Sequence, residues 1–100
     1  MRRILIGLAV VAAAFLAMTA VAFIIGMHLR HENVTKCLGN DPAGCTALIQ
    51  SRYESTADLA IDYYNRANIY GRKGLNDEAI ADYTKAIALR PDIVCLLHTV

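Results

Sequence analysis

Residues Tyr63 to Pro91 read YYNRANIYGRKGLNDEAIADYTKAIALRP. Apolar residues recur at spacings of three and four on both sides of Gly74: Leu59, Tyr63, Ala67 and Tyr70 before it, and Ala79, Ile80, Tyr83, Ala86 and Ile87 after it. Glycine just past a periodic stretch marks a helix C-terminus, and Pro91 stops whatever precedes it. The stretch therefore predicts two helices joined by a short turn and packed antiparallel. Ser55 with Asp58 matches a capping box in which a short Asp replaces the usual Glu. Asn76 is expected to cap the second helix, with Asp77 and Glu78 favouring its first turn through the backbone dipole. One such hairpin cannot bury its own apolar faces, so its flanks decide whether it stands.

Working outward, the excess of hydrophobic residues, 56% of the chain, is concentrated in ILIGLAVVAAAFLAMTAVAFIIGM, Ile4 to Met27. That run holds no charge and, at about 24 residues, meets the length a membrane span requires. Arg2 and Arg3 precede it and assign its N-terminal end to the cytoplasm. The alternative is a cleaved signal, for which Ala20-Val21-Ala22 offers an A-x-A site, although the apolar run continues well beyond it. Either way the rest of the chain is expected outside the cytoplasm. Ala9, Ala13 and Ala17 share one helix face that would let two spans approach. In an Ala-rich span that spacing is the ordinary outcome of composition.

Three cysteines follow, Cys37, Cys45 and Cys95. The first two flank LGNDPAG, a turn-favouring segment, and are the disulfide candidates in an oxidising compartment. The bridge would tie the segment after the span to the first helix of the soluble part, in which Ala47, Leu48 and Ile49 supply the apolar residues. His28 and His31 near these cysteines are zinc-type residues, but basic residues are ordinary beside a membrane, and no metal site is assigned. Cys95 is left as a buried thiol, an intermolecular bridge or neither.

Eight residues in register, Tyr63, Ala67, Tyr70, Gly74, Ala79, Tyr83, Ala86 and Pro91, resemble the signature of the tetratricopeptide repeat (TPR), whose period is about 34 residues. The resemblance covers about residues 60–93. It implies that Ala67 and Ala79 lie where the helices come closest, that the tyrosines fill the surrounding volume, and that Ala86 admits the next repeat. Two positions depart from it: Asn76 stands where an aromatic is common, and Arg66 where Leu is usual, with some loss of packing expected. Cys37–Ser51 resembles the second half of a degenerate preceding repeat, in a pattern similar to small exported or membrane-anchored bacterial TPR proteins. DIVCLLHTV, Asp92 to Val100, begins where a following repeat would start and lacks the polar face of a terminal cap.

The expected fold is all-α: an N-terminal membrane anchor or signal segment over 1–27, a linker over 28–42, and a TPR-like helical domain over 43–100. That domain comprises a short helix, one complete antiparallel hairpin and a partial C-terminal helix. The resemblance implies a protein or peptide partner, met by Tyr64, Asn68 and Arg72, which lie four apart on the first helix of the hairpin. Asn68 would bond a peptide backbone and Arg72 a carboxylate, while Asn65 is expected to bond between helices. The competing explanation is that the three only solvate an exposed face. No phosphate loop, nucleophile elbow or helical histidine pair supports an enzyme, and no cofactor is expected. Asp62 and Arg66 are taken as an exposed ion pair one turn apart. The net charge of +1 carries no stripe for nucleic acid. The combined expectation is a single-pass adaptor with its helical part in the periplasm, secreted instead if the signal is cleaved. The alternative is a small membrane protein or truncated TPR chain whose helical tail has no binding role of its own.

Overall fold

The computed structural model describes residues 2–98. Within them it forms α1 (Arg2–Leu38), α2 (Pro42–Gln50), α3 (Thr56–Arg72), α4 (Asn76–Leu89) and α5 (Pro91–His98). Thr99 and Val100, the end of the expected C-terminal segment, lie outside the described residues. Two compact units are distinguished, Met1–Arg30 and His31–Val100.

The first unit is helix alone. Its apolar side chains from Ile4 to Leu29 are all exposed, and α1 is long and apolar enough to cross a membrane. A helix suits that medium because its backbone groups pair within the segment. The one polar side chain of the apolar run does the same, the Thr19 hydroxyl donating to the Leu16 carbonyl at 2.8 Å.

Most of the expected linker over 28–42 is helical. Residues 28–38 contain neither Gly nor Pro, and Glu32 pairs with Lys36 one turn on at 2.9 Å. The helix ends where Gly39 and Asn40 allow it to. Asn40 takes a left-handed φ of 86°, and the Asp41 N–H turns back to the Lys36 carbonyl at 3.0 Å, a Schellman closure. Asp41 then caps α2, its carboxylate accepting from the Ala43 N–H, with Pro42 in the first turn.

Gly44, expected in the turn, lies inside α2 and has a packing role. A Cβ there would come 2.5 Å from the Asn33 carbonyl oxygen and 2.7 Å from the Cys37 nitrogen. Only glycine lets α2 approach the last turns of α1 that closely. The next residue completes the join, since Cys45 is disulfide-bonded to Cys37. Around the bridge, Cys37, Cys45, Leu48 and Ile69 form the buried core, with Val34 packed against it. Ile69 lies on α3, so the bridge also seats the hairpin.

The Ser55 side chain caps α3 by accepting from the Asp58 N–H at 3.1 Å. The helix closes on Gly74 at φ 77°, with the Leu75 N–H bonded to the Tyr70 carbonyl at 2.9 Å. Asn76 does not cap α4. The backbone leaves that closure with Leu75 in the N-cap position, its carbonyl accepting from Ala79 at 3.0 Å, and no side chain caps the helix. α3 packs against α2 and α4, and α5 lies against both α3 and α4, burying Val94.

The buried stripe of α4 is Ala79, Asp82 and Ala86. Ile80 and Ile87, expected in the core, are 62% and 50% exposed. Each lies one residue, about 100° of helix rotation, beyond Ala79 and Ala86. What sets the rotation is polar: Asp82 turns inward to Arg66.

Candidate functional site

Tyr64, Asn68 and Arg72 occupy one face of α3, and the structure supplies each of them with a neighbour from another element. The Tyr83 ring of α4 meets Tyr64 edge-on, centroids 5.7 Å apart, and its hydroxyl donates to Asn68 Oδ1. Tyr64, Asn68 and Tyr83 are half-buried, while Arg72 is exposed. Burial pushes the Tyr83 hydroxyl above its ordinary 10.0, the neighbouring Tyr64 adds to this, and the Arg72 charge opposes it. Of the two asparagines it is Asn68 that bonds across to α4; Asn65 makes no side-chain hydrogen bond among the described residues.

Arg72 donates from Nε and Nη2 to Asn40 Oδ1, at 3.1 and 2.9 Å. That acceptor is a neutral amide. Arg66 and Arg90, by contrast, each grip an aspartate through two nitrogens. Among the described residues no carboxylate stands in ion-pair reach of Arg72. The face therefore combines two edge-packed tyrosines, an amide whose oxygen is engaged and whose N–H donors remain, and a cation with no carboxylate in ion-pair reach among the described residues.

Sequence reasoning missed Asn40 here and gave Tyr83 only a filling role. Asn40 lies 32 residues before Arg72 in a turn-favouring segment, and no local pattern links the two. Tyr83 was visible as a signature residue; its register against Tyr64 and Asn68 needed the hairpin.

Beneath this face lies a second polar group. Arg66 Nε and Nη2 bond Asp82 at 2.7 and 2.8 Å, and Nη1 reaches the Thr46 hydroxyl of α2 at 3.1 Å. Its guanidinium lies 5.4 Å from the Tyr63 ring centre and 5.7 Å from that of Tyr70. The hydrogen bond to Asp82 raises the Arg66 pKa against the opposing effect of burial. The expected exposed pair of Asp62 with Arg66 is thus replaced: Asp62 is buried, and Arg66 joins α2, α3 and α4. Its position inside the bundle marks it as a structural clip. Cys37 and Cys45, being bridged, offer no thiolate to a metal, and among the described residues no three His, Cys, Asp or Glu side chains are grouped to hold one.

Residues 60–93 match the family model of the tetratricopeptide repeat, so the hairpin formed by α3 and α4 is such a repeat. No curated protein and no solved structure matches the chain. Repeats of this family generally mediate protein–protein contact and are typically not enzymes.

Proposed function

We propose that this repeat works as a membrane-anchored adaptor, held outside the cytoplasm by α1, and that it binds an extended segment of a partner protein on the face of Tyr64, Asn68, Arg72 and Tyr83. The observation that carries the binding assignment is Arg72, an exposed cation fixed by a neutral amide. A cation already paired with a carboxylate would have to break that pair to bind another; among the described residues Arg72 has none to break. Asn68 offers N–H donors to a peptide carbonyl, and the tyrosine pair offers an aromatic surface with few rotamers to lose. Location rests on three features together: Arg2 and Arg3 before the apolar run, its length, and a disulfide of the kind that persists in oxidising compartments.

Two experiments test the proposal. Cys95 is exposed and outside the bridge, so it reports topology. In intact cells, a membrane-impermeant maleimide should label Cys95 of the full-length chain. Protection of Cys95 until the membrane is opened would put the repeat in the cytoplasm, and a labelled, shortened, soluble product would make the apolar run a cleaved signal. For binding, a photo-crosslinking residue at position 64 should give a discrete adduct that Arg72→Ala abolishes, while one at position 85, on the exposed side of α4, should not. Equal adducts from both positions, unaffected by Arg72→Ala, would refute the site.

A further inference from the structure

The turn between α1 and α2 lies outside the repeat, yet its Asn40 side chain touches the proposed site. The geometry points to a positioning role: Asn40, presented by the turn that the Cys37–Cys45 disulfide closes, holds the Arg72 guanidinium to receive a carboxylate of the partner segment. This rests on the reading of Arg72 as a binding residue.

Four observations support it. Asn40 adopts φ 86°, a conformation that Asn tolerates better than most residues with a Cβ, and this directs its side chain from the end of α1. The turn is fixed on both sides: Asp41 bonds back to Lys36 before it and caps α2 after it. The bridge from Cys37 to Cys45 spans that turn and is buried at both ends. Finally, Asn40 Oδ1 takes both of its bonds from the Nε and Nη2 side of Arg72. Guanidinium has five N–H donors, so the remaining Nη hydrogens stay open to an oxyanion. An aspartate at position 40 would have held Arg72 as well and cancelled its charge. A neutral acceptor orients the cation and leaves its charge available.

The ligand chemistry is a carboxylate, from a peptide C-terminus or from an Asp or Glu side chain. The test uses the full chain, isotope-labelled in zwitterionic micelles, with the Arg72 Nε–H resonance identified by its loss in Arg72→Lys. Sodium acetate is titrated at constant ionic strength against chloride. Asn40→Gly removes the side chain while keeping the left-handed backbone unstrained, so the turn survives. The freedom regained by the Arg72 side chain should weaken acetate binding about two- to twelvefold. Asn40→Asp keeps the turn and the contact but supplies an internal competitor, and should weaken it further. Equal or tighter acetate binding in Asn40→Gly would overturn the positioning role and leave the site intact. Absence of any Arg72 response in the native chain would instead refute the carboxylate site, and the positioning role with it. Acetyl-tetraalanine with a free terminus, set against an amidated peptide containing one Asp, then distinguishes the source: a response to either supports the site, and to neither refutes it.

Discussion

Arg66 stands where an apolar residue is usual in this kind of repeat, so the stability of the hairpin should depend on its pairing with Asp82. The two side chains retain only 17% and 8% of their exposure. Replacing Arg66 with Met keeps an unbranched apolar stem but removes the guanidinium and leaves the Asp82 carboxylate buried without its partner. Breaking a buried pair from one side costs about 3–5 kcal/mol. Asp82→Ala leaves a cation whose long stem lets it reach water, and should cost less, about 1–3 kcal/mol. The double variant removes both charges and should recover much of the loss, because buried pairs are often neutral against apolar replacements. A domain of about 70 residues has about 4–10 kcal/mol to lose, so Arg66→Met alone should remove at least about a third of the stability and lower the unfolding midpoint in proportion.

The assay is suited to the chain. All five tyrosines lie between Tyr53 and Tyr83 and there is no tryptophan, so the tyrosine near-ultraviolet dichroism reports the helical domain without α1. Urea titration of the four chains in micelles closes a double-mutant cycle, with an expected coupling of at least about 2 kcal/mol. If the two single losses add to within about 0.5 kcal/mol, the pair is energetically independent and the account of Arg66 as a clip is wrong.

Other positions give sharper local expectations. Gly44→Ala places a methyl 2.5 Å from the Asn33 carbonyl oxygen, so α1 and α2 must separate; a loss of about 1–3 kcal/mol and a rise in free thiol at Cys37 and Cys45 should follow in urea titration and thiol counting. Removing the disulfide with Cys37→Ala and Cys45→Ala, a separation of 8 residues, should cost about 2–3 kcal/mol in the same titration by loop-closure entropy. Tyr83, its pKa raised above 10.0 by burial, holds its proton more tightly when folded. Its contribution is therefore complete below pH 10.0 and lost as pH rises through the higher folded value. Phenolate absorbance should show a late-titrating component that Tyr83→Phe removes; a late part of the titration left unchanged by Tyr83→Phe would contradict the packing.

The hairpin was legible because its cues are local. Ser55 and Gly74 act within a turn of helix, and the repeat spacing placed α3 and α4 correctly. Several of the failures share a physical cause, in that each depended on a partner distant in sequence. Ile80 and Ile87 continue the apolar period of α4, and nothing local reveals that Asp82 displaces them by pairing with Arg66. Asp62 and Arg66 make an ideal pair one turn apart, but a guanidinium can choose among carboxylates once the helices pack. Gly44 looked like turn chemistry because glycine has two uses, and only the approach of Asn33 shows which applies. The same limit hid Asn40 from the candidate site.

Where no second repeat is stacked against it, a repeat must obtain from its flanks what an array obtains from its neighbours. Here the two flanks contribute differently. On the C-terminal side α5 offers an ordinary apolar contact through Val94. On the N-terminal side α2 is only nine residues long and brings little apolar surface beyond Leu48. A covalent bond to α1 and the hydrogen bond from Arg66 to Thr46 supplement it. The departure at Arg66 then has a positive explanation. Leu could make no hydrogen bond, whereas Arg reaches Asp82 on one side and Thr46 on the other, clipping the weak flank to both helices of the repeat. Thr46→Val should therefore loosen α2 more than α4. Amide exchange of residues 43–50 should accelerate while that of 79–86 changes little, and equal acceleration across both would mean that α2, α3 and α4 open as one unit regardless of the clip.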